Sequence, residues 1–150
     1  MISTLLTCCI LTPSNSKRIY LMPSSGKSKP NLRLIETGRW GENFAVRILQ
    51  EKGLKLLARN VRTPYGELDL VATTGDNIVF IEVKTRFSER FGTPEEAITE
   101  TKKKHLINAA EAFLQDHPEL EGDWQIDVIT ILCTDQKSAP IVNWIENAIS

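Results

Sequence analysis

The sequence predicts an α/β domain, a mixed sheet with flanking helices in the order α-β-β-β-α-β and one further C-terminal strand. Three observations carry this expectation. Apolar residues recur at helical spacing over 38–52; three strand-like segments separated by short turns follow between 54 and 85; a second helical stretch then leads into a strand of the buried type at 124–133. The 150 residues, 41% hydrophobic and 25% charged, suit one domain that buries its own core.

The elements follow in order. Trp40, Phe44, Ala45, Ile48 and Leu49 lie on one face of the first helix, about 38–52, and Gly53 stops it. Leu54 to Val61 reads as a strand, and Thr63-Pro64-Tyr65-Gly66 as a turn. Glu67 to Thr73 alternates, placing Leu68, Leu70 and Ala72 on one face and Glu67, Asp69 and Val71 on the other. Thr74-Gly75-Asp76-Asn77 is a second turn, making a hairpin with the β-branched and aromatic run Ile78 to Thr85. After a polar loop over 86–93, Pro94 opens a helix at about 94–115. Thr93 is its expected N-cap, Glu95 and Glu96 lie in its first turn, and His117-Pro118 ends it. Trp124 to Cys133 is the buried strand, 135–140 a loop, and Ile141 to Ile145 a last strand leading into a frayed end.

Residues 1–34 read as an appendage to a domain spanning 35–150. Pro13 to Pro30 is rich in Ser, Pro, Lys and Asn and has no periodicity, so it is expected to be disordered. Leu5-Leu6-Thr7-Cys8 resembles a lipoprotein box. However, Thr7 is bulky for that position, the apolar stretch is short and no basic residue precedes it, so export is not expected and the cytoplasm is. A misassigned start codon would also explain the tail. No apolar run of membrane-spanning length occurs. Cys8, Cys9 and Cys133 form neither a disulfide framework nor a zinc spacing, which suits a reducing compartment.

The net charge of −1 conceals an asymmetry. The tail holds Lys17, Arg18, Lys27, Lys29 and Arg33 and no acid, leaving thirteen basic and nineteen acidic residues in 35–150, a net of −6. A domain so charged does not grip nucleic acid by bulk attraction. A carboxylate cluster that holds metal escapes this objection, because the cation cancels its charge locally.

Glu82 and Lys84 fall at i and i+2 of the most apolar strand and so share a face with Phe80; across the hairpin, Asp69 lies near them in a suitable register. Charges within such a run are costly unless paired or metal-bound. The residues alone leave two readings open: a salt bridge on a half-exposed face, or two carboxylates holding Mg²⁺ with a lysine acting on a water.

Asp69, Glu82 and Lys84, read as Asp-x(12)-Glu-x-Lys, resemble the signature of the PD-(D/E)XK nucleases, the restriction-endonuclease-like superfamily. The ordered set is wider. It comprises Gly38-Arg39-Trp40-Gly41-Glu42-Asn43-Phe44-Ala45, Asn60-Val61-Arg62, Gly66-Glu67-Leu68-Asp69-Leu70-Val71 and Val79-Phe80-Ile81-Glu82-Val83-Lys84-Thr85-Arg86, then Ala97-Ile98, Lys102, Ala109-Ala110 and Ile126-Asp127-Val128. From about Gly38 onward the chain resembles the YraN-like family of bacterial proteins, which is similar to archaeal Holliday junction resolvases. The resemblance implies a restriction-endonuclease-like three-layer fold and a metal-dependent endonuclease acting on DNA, branched or junction DNA included. It implies Asp69 and Glu82 as ligands of Mg²⁺, or of Mn²⁺ in its place, with the Val83 carbonyl as a third. Lys84 would orient the water or stabilise the phosphate, Glu42 would be an accessory ligand or base, and Lys102 would contact a phosphate. The proline usual before the aspartate is replaced by Leu68. By analogy with resolvases, which need two active sites, a homodimer is also implied. The alternative is a non-catalytic nucleic-acid-binding module of the same fold working within a partner complex.

The remaining candidates have plainer readings beside the functional ones. Glu67 is a second acid near Asp69 or a charge at a turn exit. Arg62 and Arg86 are phosphate contacts or solvated surface, and Lys102-Lys103-Lys104 is a helical basic run that is mostly solvated. His105 and His117 lack ligand spacing and read as structural or surface groups. Trp40, Trp124 and Trp144 are expected in the core. Cys133 is expected as a small buried hydrophobe, and Asp127, inside an apolar strand, has no firm role.

Overall fold

The computed structural model describes residues 18–19, 34–86, 99–133 and 139–149. The elements are β1 (Arg18–Ile19), α1 (Leu34–Glu51), β2 (Lys55–Thr63), β3 (Gly66–Thr74), β4 (Asn77–Arg86), α2 (Glu100–Asp116), β5 (Trp124–Leu132) and β6 (Ile141–Ile149). The expected order is therefore present. Of the 1–34 appendage, Arg18 and Ile19, within the stretch expected to be disordered, pair with Val142 and Ile141 of β6, and Leu34 begins α1; the rest lies outside the described residues.

One sheet runs β1-β6-β5-β4-β3-β2. All neighbours are antiparallel except β4 and β5, which are parallel and joined through α2, since parallel neighbours need a long crossover. Side-chain alternation sends the two faces of the sheet into separate cores. On one face Leu70, Ala72, Val79, Ile81, Ile129 and Ile131 pack against Phe44, Ala45, Ile48 and Leu49 of α1. On the other, Val71, Ile78, Phe80 and Ile126 pack against Leu106, Ala109, Ala110 and Phe113 of α2. The result is the three-layer α/β arrangement expected.

Three local details position the site. Gly53 takes φ +83°, a left-handed turn in which the Leu54 amide donates to the Leu49 carbonyl at 2.9 Å and closes α1. The second helix starts later than expected. Thr99 is extended, with φ −69° and ψ 154°, and its side chain accepts from the Lys102 amide. Thr99 is thus the cap, while Thr93 and Pro94 lie outside the described residues. That shift puts Lys102 in the helix's first turn. The third detail is in β3. Leu68 joins Val71 in the α2 core, whereas Leu70 and Ala72 face α1, so the alternation expected for this strand breaks at Asp69. The β3–β4 ladder runs from the turn to Leu70↔Ile81 and ends there.

The last strand extends four residues beyond expectation, to Ile149. Asn147 is left-handed at φ 48°, beside a shift in the β5–β6 register between Ile126 and Val128. Asp127 explains both. It is buried and accepts from the Trp144 indole, the Asn147 amide and the Gln125 side chain, each at 2.8 Å. The sequence gives it no firm role; in the fold it holds a bulge of β6. Trp40 stacks on Phe44 at 5.3 Å and Trp144 packs on the α1 core, but Trp124 is 37% exposed, a correction to its expected core position. It caps Phe80 edge-on at the rim of the sheet. Cys133 is half-buried against the α1 core, and that burial raises its thiol pKa.

Candidate metal centre

Where the β3–β4 ladder ends, a side chain takes over from the backbone. Oδ2 of Asp69 accepts the Val83 amide at 2.8 Å, so the carboxylate sits one residue from Glu82 along β4. This couples the sheet's architecture to its chemistry, because the interruption of pairing admits a carboxylate between two strands.

Glu82 is only 3% exposed. One of its oxygens, Oε1, lies 2.5 Å from Nζ of Lys84 on the same strand and 3.2 Å from Nζ of Lys102 in the first turn of α2. The other, Oε2, is buried and makes no hydrogen bond among the described residues. An unpaired buried carboxylate oxygen costs free energy on the order of 1–3 kcal/mol or more. It is therefore a place where a cation gains. Asp69 shows the same deficit from the proton's side: its pKa is pushed up to about 6, first by burial and then by the charge of Glu82, against the lowering effects of the Val83 amide and Lys84.

Glu42 adds a third negative charge from α1, and it too raises the Asp69 pKa. Its approach depends on Gly41. A Cβ at that position would lie 1.8 Å from Oγ1 of Thr85, so only glycine lets the helix backbone come this close to β4 beside Lys84. From the other side, the Asn60 carboxamide donates to Oε2 of Glu42 at 2.8 Å, and Nη2 of Arg59 stands 4.0 Å from the same oxygen and 2.7 Å from Oδ1 of Asn43.

The structure thus assembles four expected residues from three elements: Glu42, Asp69, Glu82 and Lys84, with Lys102 added by α2. Lys102 was expected on a phosphate; in the protein alone it engages Glu82. Val83 contributes its amide to Asp69. Arg62 stays on the exposed β2–β3 hairpin, 3.6 Å from Glu67. Arg86 ends β4, where its carbonyl accepts the Cys133 amide. Lys103 pairs with Glu100, Lys104 and His105 are exposed, and His117 caps α2 beside Glu119. Arg59 and Asn60 received no role from the sequence. The available signal was an asparagine inside a strand-like run, a residue depleted in strands and tolerant of left-handed backbone.

The donor set suits a hard divalent ion that retains water. Among the described residues no group of three or more His, Cys, Asp or Glu side chains is arranged to hold a metal. Magnesium commonly takes one or two carboxylates and completes its shell with waters and substrate phosphate. Oε2 of Glu82 matches that need as a buried oxygen with no hydrogen bond among the described residues, and Asp69 as a half-buried carboxylate whose surroundings raise its pKa.

Comparison with known proteins agrees with the ordered motifs. Residues 41–131 match the model of a family described as "Uncharacterised protein family UPF0102". A UPF0102 protein of Syntrophomonas wolfei is 50% identical over 113 residues, covering 75% of this chain and 96% of the relative. One from Caldicellulosiruptor saccharolyticus is 42% identical with the same coverage, and one from Chlorobium phaeobacteroides is 45% identical over 67% of this chain and 79% of its own. The matched segment contains β2 through β4, α2 and all but the last residue of β5, and with them Glu42, Asp69, Glu82, Lys84 and Lys102. The chain belongs to the UPF0102 family, the YraN-like proteins.

Proposed function

We propose that this protein is a Mg²⁺-dependent endonuclease of the PD-(D/E)XK type, hydrolysing phosphodiester bonds of DNA in the cytoplasm. The observation that carries the reading is Glu82: a carboxylate buried at the end of an apolar run, with one oxygen neutralised by two lysines and the other without a hydrogen-bond partner among the described residues. A purely structural ion pair gains nothing from leaving that oxygen unsatisfied.

In this reading Asp69 and Oε2 of Glu82 hold the ion, the Val83 carbonyl is a further oxygen on the same strand, and Glu42 supplies the third charge. The ion, when bound, polarises the scissile phosphate and lowers the pKa of a water. Lys84 holds its ammonium where negative charge builds on the phosphate, and the buried side of Glu82 keeps it oriented. Lys102 lies on the same carboxylate and can exchange it for a phosphate oxygen. Mn²⁺ substitutes for Mg²⁺ because the ligands are hard oxygens.

The experiment is direct. Purified protein is incubated with Mg²⁺ or Mn²⁺ and duplex, flap and four-way-junction DNA. Cleavage is expected on at least one substrate, falling at least roughly 10²-fold in Asp69→Ala and Lys84→Ala. No cleavage on any substrate, or undiminished cleavage by both variants, overturns the proposal. A second reading is a non-catalytic module that binds DNA within a complex, where a partner would supply the grip that the acidic 35–150 segment lacks. That reading requires DNA binding with no metal effect on affinity or melting temperature, whereas a metal-induced rise abolished by Glu82→Ala excludes it.

A further inference from the structure

Asn60 has a conformation that its strand does not ask for. Its φ of 49° is left-handed, one of two such non-glycine residues among those described. The ladder to β3 pairs Arg59 with Leu70 and Val61 with Leu68, so Asn60 falls between them, opposite Asp69. It does so in an edge strand that already carries an irregularity between Leu56 and Ala58. Regular extended backbone would leave the carboxamide on the alternating face of β2. The left-handed turn instead accompanies the contact of Nδ2 with Oε2 of Glu42 at 2.8 Å. Left-handed backbone costs about 1–2 kcal/mol for most residues and less for asparagine, and such outliers persist where the surroundings over-determine them.

The hold on Glu42 is therefore two-sided. Gly41 lets the helix approach Thr85, which brings Glu42 to the site; Asn60, from the opposite strand, takes one carboxylate oxygen, with Arg59 tied to the neighbouring Asn43. The Glu42 side chain is 17% exposed, so without such a hold it would have room to turn toward solvent.

We infer that Asn60 is a positioning residue of the metal centre: its left-handed backbone presents a carboxamide that fixes one oxygen of Glu42 and so keeps that carboxylate's charge close to the ion held by Asp69 and Glu82. The inference rests on the metal-centre reading above. A neutral amide suits this task, because it orients the carboxylate without cancelling the charge the ion needs. An arginine placed at hydrogen-bonding distance would compete with the ion. Arg59 stands off from that oxygen at 4.0 Å.

The test titrates Mn²⁺ alone into the full chain by calorimetry, for wild type, Asn60→Gly, Glu42→Gln and the double variant. Glycine retains the left-handed backbone and removes only the carboxamide. Asn60→Gly is expected to weaken Mn²⁺ binding about 5- to 10-fold with a melting temperature close to wild type. The Asn60 effect is expected to vanish in the Glu42→Gln background, so that the double variant matches Glu42→Gln; a merely structural asparagine would not show that dependence. Asn60→Asp keeps the backbone but sets a carboxylate against Glu42, and is expected to bind no tighter than Asn60→Gly. Unchanged Mn²⁺ affinity in Asn60→Gly, or a loss that persists in full when Glu42 is already Gln, overturns the inference while leaving the metal centre standing. A wild type that binds no Mn²⁺ overturns the metal centre and the role of Asn60 with it.

Discussion

Two acids are buried in adjacent central strands, and they are opposites. Asp127 of β5 accepts three hydrogen bonds, one from an indole, one from a backbone amide and one from a carboxamide, all at 2.8 Å. Both of its oxygens are used. Glu82 of β4 has two ammonium groups on one oxygen and, among the described residues, no hydrogen-bond partner on the other. The donors differ as much as the count. Asp127 is held by neutral groups fixed in the sheet, which makes it a clamp for the bulge at Asn147. Glu82 is held by flexible cations whose side chains are about a third exposed and can re-pair. Burial alone marks neither acid as functional; the state of its oxygens separates them.

The comparison can be broken at several points. The largest stability effect belongs to Asp127→Ala, which strands the Trp144 indole and the Asn147 amide inside the sheet. A loss of about 3–5 kcal/mol is expected, read as a fall in the urea midpoint, and a loss under 1 kcal/mol would show that the clamp is dispensable. Next comes Asp69→Asn in metal-free buffer. The folded state raises the Asp69 pKa from 3.8 to about 6, so the folded protein holds the proton more tightly than the unfolded chain, and stability falls as pH rises through that interval. Asparagine keeps an acceptor for the Val83 amide and removes the ionisation. The variant should match wild type near pH 4 and exceed it by about 3 kcal/mol at pH 8. A gap that is constant with pH would refute the shift.

Smaller still is Gly41→Ala, where the new methyl meets Oγ1 of Thr85. Alanine favours a helix over glycine by about 1 kcal/mol, so the clash must exceed that gain. A net loss of about 1 kcal/mol is expected, and Thr85→Ala should remove it. The smallest change in stability is expected for Glu82→Gln, within about 1 kcal/mol, because Lys84 and Lys102 can reach water. Its signature lies elsewhere: wild type should gain about 2.7 kcal/mol at a metal concentration 100 times its Kd, and the variant nothing. A destabilisation by Glu82→Gln as large as that by Asp127→Ala would make Glu82 a structural acid as well.

Much of this was legible in the chain. Helical spacing found α1, and β-branched runs between turn residues found the hairpin and β5. The interval Asp-x(12)-Glu-x-Lys singled out Asp69, Glu82 and Lys84 through its resemblance to a nuclease signature, and a hairpin with a short turn fixes which of them can face each other. Other parts were not legible for a physical reason. Period-two reasoning assumes uninterrupted pairing, so it put Leu68 on the wrong face. The break at Asp69 arises only when a carboxylate replaces a ladder partner at Val83. The cap at Thr99 was outcompeted in sequence by Thr93-Pro94, an equally good local signal.

The sequence by itself determined the elements, their order, the family and the three residues of the motif, since these depend on periodicity, turn chemistry and spacing along the chain. The tertiary structure decided which of the buried acids is satisfied. It also decided that Lys102 joins Glu82, that Gly41 admits α1 to β4, and that Asn60 reaches Glu42. The last three are contacts between residues at least 18 positions apart. No local pattern records such contacts, because their energy depends on register, on the breaks in pairing and on how closely a helix can approach the sheet.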